Sequence, residues 1–204
     1  HSRGARITDA GHELAQRAFA FLAASSVVEC MAGAYAGDLT GPLGIGIIPS
    51  IAPFVVASIY EGLAHSPVRP IIRETITERL LNELEAGEID VIVASPPLGR
   101  DGIVTADLGR DRFFRAMPKL SETCFFFLPS IFFWAPRGAP TTLLPELVIR
   151  ARPDEARRIE IEAFPGAEPS RRIVLAYRQT DPRALQFERF STELAGILGF
   201  DRSK

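Results

Sequence analysis

The first 40 positions carry apolar residues at alternating spacings of four and three, which is the seam of a long amphipathic helix. Thr8 or Asp9 is placed to cap this helix, which we predict over roughly residues 10–36. Such a helix is about 40 Å long, more than a compact domain needs, so we expect its apolar stripe to pack on a second subunit. The alternative is that it folds back on its own domain. The seam comprises Leu14, Ala18, Phe21, Ser25, Val28, Ala32 and Tyr35.

A glycine-containing break at 37–42 is followed by a pattern of alternating strands and helices. We predict strands at 43–48, 68–73 and 89–94, with helices at 51–64 and 77–86. Gly87 stands where a helix ends in a left-handed residue, and the apolar run after Asp90 is typical of a strand covered on both faces. These features predict an α/β fold built on a parallel βαβαβ unit.

The second half of the chain has a weaker pattern. We predict strands at 104–108, 112–117, 159–164 and 172–178, and a strand that ends at Pro145 before a short helix. The apolar run at 124–135 fits no regular element, is too short to span a bilayer and is interpreted as buried core. Asp181 is placed to cap a last helix with Pro182 at its first position. Its predicted inner face comprises Leu185, Phe190, Leu194 and Ile197 or Leu198.

The composition is that of a folded globular protein, with 47% hydrophobic and 24% charged residues among 204. The net charge of −2 provides no basic surface for nucleic-acid phosphates, so we expect little DNA contact from this chain alone. Cys30 and Cys124 are far apart, and no signal peptide opens the chain. These features favour a cytoplasmic protein without disulfides or membrane segments.

The sequence contains no recognisable arrangement of metal-binding or catalytic residues. His1, His12 and His65 are isolated, and neither cysteine has a partner at ligand spacing, so we predict no metal site. The chain has no phosphate-binding glycine loop, dinucleotide fingerprint or nucleophile elbow, and no nucleophile–base pair can be named. We therefore predict that the protein is not an enzyme and uses no cofactor.

Small hydroxyl residues follow each predicted parallel strand: Ser50 the first, Thr75 and Thr77 the second, and Ser95 the third. Ligands of open α/β sheets gather at this edge, where helix N-termini favour polar or anionic groups. We predict that Ser50 and Thr77 face each other across a cleft that binds a small polar or anionic effector, with Thr75 and Ser95 as weaker candidates. The alternative is that Ser50 and one threonine only cap helices, since Thr75 and Glu78 have capping-box spacing.

Several segments resemble LysR-type transcriptional regulators, and in particular their hydrogen-peroxide-inducible activators. The segments are RITDAGHELAQRA, GPLGIGIIPSIAPF, RETITERLLNELEAGEIDVIVA, LLPELVI and IVLAYRQTDPRALQFERFSTEL, in that order along the chain. The resemblance implies a Rossmann-like, periplasmic-binding-protein-like regulatory domain of two lobes at 43–204. It further implies a linker and dimerisation helix at 9–38 and the remnant of a winged helix-turn-helix at 1–8.

The same resemblance implies a homodimer or homotetramer whose DNA-recognition helix is not part of this chain, with Arg3 and Arg6 as candidate phosphate contacts. The stretch between Lys119 and Thr141 is short for a second lobe, which we expect to be shortened or incomplete. It lacks the cysteine motif of the peroxide sensors, so peroxide sensing is not expected, and we interpret Cys124 as buried and unreactive. A solute-binding protein of the same fold is the alternative function, which the heptad helix disfavours.

Overall fold

The computed structural model describes residues 8–15, 17, 18, 21, 39–118, 124–128, 131–135, 142–166 and 168–200. Of the N-terminal segment, residues 9–15, 17, 18 and 21 are helical. Thr8 precedes them, and its Oγ1 accepts a hydrogen bond from the backbone N–H of Gly11 at 3.2 Å, so the predicted cap at Thr8 is confirmed. The rest of the predicted linker helix, at 22–36, lies outside the described residues.

The predicted parallel βαβαβ unit is confirmed. Strand β1 lies between β2 and β3 and pairs with both in parallel register. Gly87 ends the second helix with φ of 76°, the left-handed geometry expected there. The elements are β1 (Gly41–Ile47), α1 (Ala52–Gly62), β2 (Val68–Glu74), α2 (Thr77–Ala86) and β3 (Val91–Ala94).

A single long strand, β4 (Ile103–Pro118), replaces the two strands predicted at 104–108 and 112–117, so that prediction was wrong. The register shifts between Asp107 and Gly109, where Gly109 has φ of 131°. This irregularity interrupts the apolar alternation without ending the strand, because glycine tolerates the required backbone. One end of β4 pairs with the main sheet and the other supports the second lobe.

The next elements along the chain are β5 (Cys124–Leu128), β6 (Ile131–Ala135), β7 (Thr142–Pro145), α3 (Glu146–Ala151), α4 (Pro153–Ala156) and β8 (Ile159–Glu162). Of these, β7, α3, α4 and β8 pack on β4 or on one another and form the second lobe. The predicted strand ending at Pro145 and the helix after it are confirmed. Strands β5 and β6 form an antiparallel pair of their own where the sequence predicted no regular element. Side-chain burial in that pair lies outside the described structure, so the predicted core role of the run stays a prediction.

Strand β9 (Ser170–Arg178) returns between β3 and β4 and is antiparallel to both. The main sheet therefore has the order β2-β1-β3-β9-β4-β7, with β8 also paired to β4. Its core is one continuous apolar cluster in the first lobe, whereas the second lobe has a separate small one around Ala116, Leu144 and Val148. In the described part of the chain, no helix is both long and apolar enough to cross a membrane.

The last helix, α5 (Ala184–Leu198), begins later than predicted, after Arg183 and without a side-chain cap. Leu185 is 74% exposed, so its predicted place on the inner face was wrong. Phe187 is fully buried instead and starts the apolar face that continues through the correctly predicted Phe190, Leu194 and Leu198. Oδ1 of Asp181 accepts a hydrogen bond at 2.9 Å from the backbone N–H of Arg183, just before the helix, and its carboxylate also binds the side chains of Arg178 and Arg183.

These arginines belong to a group that we call the closed cluster: Asp90, Arg178, Asp181 and Arg183. Nη2 of Arg183 lies 2.6 Å from Oδ1 of Asp90, and its Nε lies 3.0 Å from Oδ1 of Asp181. Arg178 Nη2 reaches the other oxygen of Asp181 at 2.6 Å. The cluster joins the start of α5 to the end of the sheet where β3 begins.

Candidate functional site

The predicted hydroxyl residues lie at one edge of the sheet. Ile47 at the end of β1 is in register with Glu74 and Val93 at the ends of its two neighbours. Ser50, Thr75 and Ser95 follow within three residues of these strand ends, and Thr77 opens α2. All four residues are partly buried, as expected for the wall of a cleft rather than for core or open surface.

The capping interpretation of these hydroxyls is wrong. The residues before α1 and α2 are Ile51 and Ile76, and neither helix has a side-chain cap hydrogen bond. Thr75 lies one residue too early for a capping box, and Glu78 pairs with Arg100 at 2.6 Å instead of folding back. In the described part of the chain, the hydroxyls of Thr75, Thr77 and Ser95 have no hydrogen-bond partner, so they are available to solvent or a ligand.

Ser50 is held by an arginine that the sequence analysis did not single out. Nη1 of Arg171 donates to Ser50 Oγ at 3.0 Å, and its Nη2 donates to the Ser50 carbonyl at 3.3 Å. Nε of the same guanidinium donates to Oδ2 of Asp111 at 3.0 Å. We call Ser50, Asp111 and Arg171 the open cluster.

Asp111 connects the open cluster to the second lobe. Its side chain is fully buried, and its Oδ1 accepts a hydrogen bond at 3.0 Å from the backbone N–H of Leu147, in the first turn of α3. The Arg171 side chain, in contrast, is 18% exposed, and its charge centre lies 5.8 Å from the Phe113 ring. The arrangement presents a partly solvated positive charge beside a hydroxyl, which suits a small anionic or polar ligand.

No protein-family model matches the chain, but several known proteins are similar to it. A probable hydrogen peroxide-inducible genes activator of Streptomyces viridosporus is 24% identical over 95% of this chain and 77% of its own length. The HTH-type transcriptional regulator EstR of Acinetobacter baylyi is 29% identical over 53% of this chain. The chain is related to the LysR-type transcriptional regulators. It spans 37% of the Acinetobacter protein.

The solved structures agree with the LysR relationship. A cysteine-to-serine mutant of Corynebacterium glutamicum OxyR with hydrogen peroxide bound is 25% identical, with a TM-score of 0.68. The match covers 94% of this chain and 76% of that one. The predicted periplasmic-binding-protein-like fold of a LysR-type regulatory domain is therefore confirmed.

The open cluster was missed because its members meet only through strand pairing. Arg171 in β9 and Asp111 in β4 are register partners, although 60 residues separate them in sequence. The one local signal was a pair of arginines, Arg171 and Arg172, at the start of an otherwise buried strand. Arg172 is 58% exposed and pairs with Asp107, so the pair of arginines alone did not indicate which one points inward.

Other predicted residues lie outside the part that the structure describes. Arg3, Arg6 and Cys30 fall in undescribed segments, and Cys124 lies in β5, where only the backbone is described. Among the described residues, no three histidine, cysteine, aspartate or glutamate side chains are grouped to hold a metal ion.

Proposed function

We propose that this chain is the effector-sensing and oligomerising part of a LysR-type DNA-binding transcriptional regulator. The observation that carries the proposal is the open cluster, which lies where three parallel strands end and where both lobes meet. The relatives are named as transcriptional regulators, which favours this function over a solute-binding protein of the same fold and over an enzyme. DNA contact through Arg3 and Arg6, and a cytoplasmic location, stay predictions.

The effector that fits this edge is a small polar or anionic molecule. Arg171 supplies a positive charge, and Ser50 and Thr77 supply hydroxyls at the N-terminal ends of two helices. The neighbour from Corynebacterium glutamicum was solved with hydrogen peroxide, a small polar ligand, which supports the size class. Because Asp111 ties the guanidinium to the first turn of α3, a ligand that competes for Arg171 acts on the junction between the lobes.

The test is ligand-induced thermal stabilisation with sulfate, acetate and hydrogen peroxide as probes. We expect at least one probe to stabilise the native chain, and Ser50→Val and Thr77→Val each to weaken its binding at least tenfold. Thr192→Val is the matched control, because Thr192 is exposed on the outer face of α5. An unchanged response in both variants would contradict the site, and a response lost in the control as well would show that the effect is not local.

For the assembly we propose a homodimer or homotetramer formed through the N-terminal helix. Leu14 and Phe21 of the heptad seam are 70% and 71% exposed, so the helix presents unburied apolar surface. Replacing both with glutamate places charge in the seam and should release monomers in sedimentation.

The control for assembly is a variant with His12→Glu and Gln16→Glu, which adds the same number of carboxylates at heptad positions off the seam. Its sedimentation should match that of the native chain. A native chain that is monomeric at micromolar concentration would exclude the dimerisation role of this helix.

A further inference from the structure

A pocket of ≈ 460 Å³ lies away from the open cluster. It is formed by Leu39, by the turn at 65–68 that leads into β2, and by one face of α5. Val68 is the first residue of β2, whereas Ser50 and Thr77 lie beyond the carboxyl ends of the strands. Since β2 is seven residues long, the two places are about 20 Å apart along the sheet. We call this cavity the linker pocket, because Leu39 belongs to the segment between the N-terminal helix and β1.

Gln186 is the residue that points to a ligand. It is only 9% exposed, it lines the linker pocket, and its side-chain amide has no hydrogen-bond partner in the described part of the chain. Buried polar groups in native proteins are nearly always hydrogen-bonded to protein, water or a bound molecule. The Gln186 amide atoms are not among the fully buried unpartnered atoms of the described residues, so the amide opens into the cavity that it lines, where water or a ligand can bind it.

The other lining groups define the chemistry of an occupant. Arg189 and Glu193 carry opposite charges one turn apart on α5, so this face adds no net charge to the cavity. Val68 and Phe190 are buried apolar walls, and Leu39 packs against the same core. A cavity of this size and mixture fits a small organic ligand with a few polar atoms.

We propose that the linker pocket binds a neutral, planar molecule with a carboxamide or lactam edge. Such an edge offers one N–H donor and one carbonyl acceptor side by side, which is the complement of the Gln186 amide. A carboxylate of the same shape supplies no donor for the Gln186 carbonyl, and it gains no net attraction from Arg189 and Glu193, whose opposite charges balance. Because Leu39 lies on the path from the N-terminal helix, the bound ligand contacts the segment that links the helix to the domain.

The experiment measures the binding of benzamide and uracil to the full 204-residue chain by calorimetry, with benzoate as the charged isostere. We expect at least one of the two amides to bind, and benzoate to bind at least tenfold more weakly than benzamide. Gln186→Leu should weaken amide binding at least tenfold without a loss of thermal stability, since no hydrogen bond within the described protein is removed. Ser50→Val, at the other edge of the sheet, is the control and should leave amide binding unchanged.

Any of three binding results would overturn the proposal, in addition to the competing self-association described below: no binding of either amide at millimolar concentration, equal binding of benzoate, or full binding by the Gln186→Leu variant. If that variant does not fold, Gln186→Glu serves in its place, because it keeps the size and replaces the amide donor with an acceptor. A self-association that competes with benzamide would show instead that a second copy occupies the pocket, which also excludes the proposal. Loss of the sulfate response in Ser50→Val with intact amide binding separates this site from the proposed effector cleft.

Discussion

Strand β9 begins and ends beside an arginine that binds a buried aspartate, and the two ends differ in what else each arginine contacts. At one end, the closed cluster surrounds Arg183 with two carboxylates, and the Arg183 side chain is 4% exposed. At the other end, Arg171 pairs with one carboxylate and directs its remaining contacts to the neutral oxygens of Ser50, at 18% exposure. Both places contain an arginine–aspartate ion pair. The charge of Arg183 is fully neutralised by two carboxylates, whereas part of the positive charge of Arg171 stays accessible.

The difference shows how a protein separates structural from binding arginines. In the closed cluster Asp90 also accepts a hydrogen bond at 2.7 Å from the backbone of Gly44, and Arg178 donates to the Ile89 carbonyl at 3.2 Å. A ligand for Arg183 would have to displace several short contacts to carboxylates, because Arg183 and Asp181 are both buried. In the open cluster an anion has only to replace the Ser50 hydroxyl as the acceptor of the Arg171 hydrogen bond. A hydrogen bond from arginine to an anion is stronger than one to a neutral hydroxyl.

The pKa shifts of Asp181 and Arg183 agree with a structural role for the closed cluster. Burial by itself raises the pKa of Asp181, but hydrogen bonds from Arg183 and the charges of Arg183 and Arg178 outweigh burial and lower that pKa. Burial by itself lowers the pKa of Arg183, and the hydrogen bond to Asp181 together with the charge of Asp90 raises it overall. Each charge is thus stabilised in its ionised form by its partners.

The largest effect is expected from Arg183→Met, which leaves Asp181 and Asp90 without their shared cation in a buried place. We expect the free energy of unfolding to fall by about 3–5 kcal/mol, measured by urea denaturation. Arg172→Met is the control, because Arg172 is 58% exposed and its surface pair with Asp107 should contribute about 0–1 kcal/mol. A loss in Arg183→Met no greater than that of the control would show that the closed cluster is not structural.

A smaller effect is expected from Arg171→Met. Asp111 keeps its hydrogen bond from Leu147, and the side chain that is removed is partly exposed, so we expect a loss of about 1–3 kcal/mol. The response to sulfate should disappear, whereas Arg183→Met should keep that response at temperatures where it is folded. If both variants lose equal stability and equal sulfate response, the distinction between the two clusters fails.

The smallest effect expected is the pH dependence of the stability that the Asp181 carboxylate contributes. Because the folded-state pKa of Asp181 is lowered, its stabilising contribution is fully present above the unfolded-state value of about 3.9. It is lost as the pH falls below that value and through the folded-state pKa. Asp181→Asn should therefore be less stable than the native chain at pH 7, and the gap should narrow in urea denaturations from pH 5 towards pH 2. A constant gap would show that the carboxylate is not ionised in the folded chain.

The sequence by itself determined the elements whose signals are local. Helix α2 has the predicted bounds Thr77–Ala86, and Gly87 ends it as expected, because helix periodicity and a left-handed terminus are encoded within a few neighbouring residues. The parallel order of β1, β2 and β3 followed from short connecting helices. The shared edge of Ser50, Thr77 and Ser95 followed in turn from that order. The hydroxyl residues of the candidate site could therefore be predicted without a structure, whereas Asp111 and Arg171 could not.

Only the tertiary structure decided which charged residues meet. Arg171 and Asp111 are 60 residues apart, and Arg183 and Asp90 are 93 apart, and each pair depends on where β9 lies in the sheet. The position of β9 between β3 and β4 is a long-range, antiparallel choice that no local periodicity specifies.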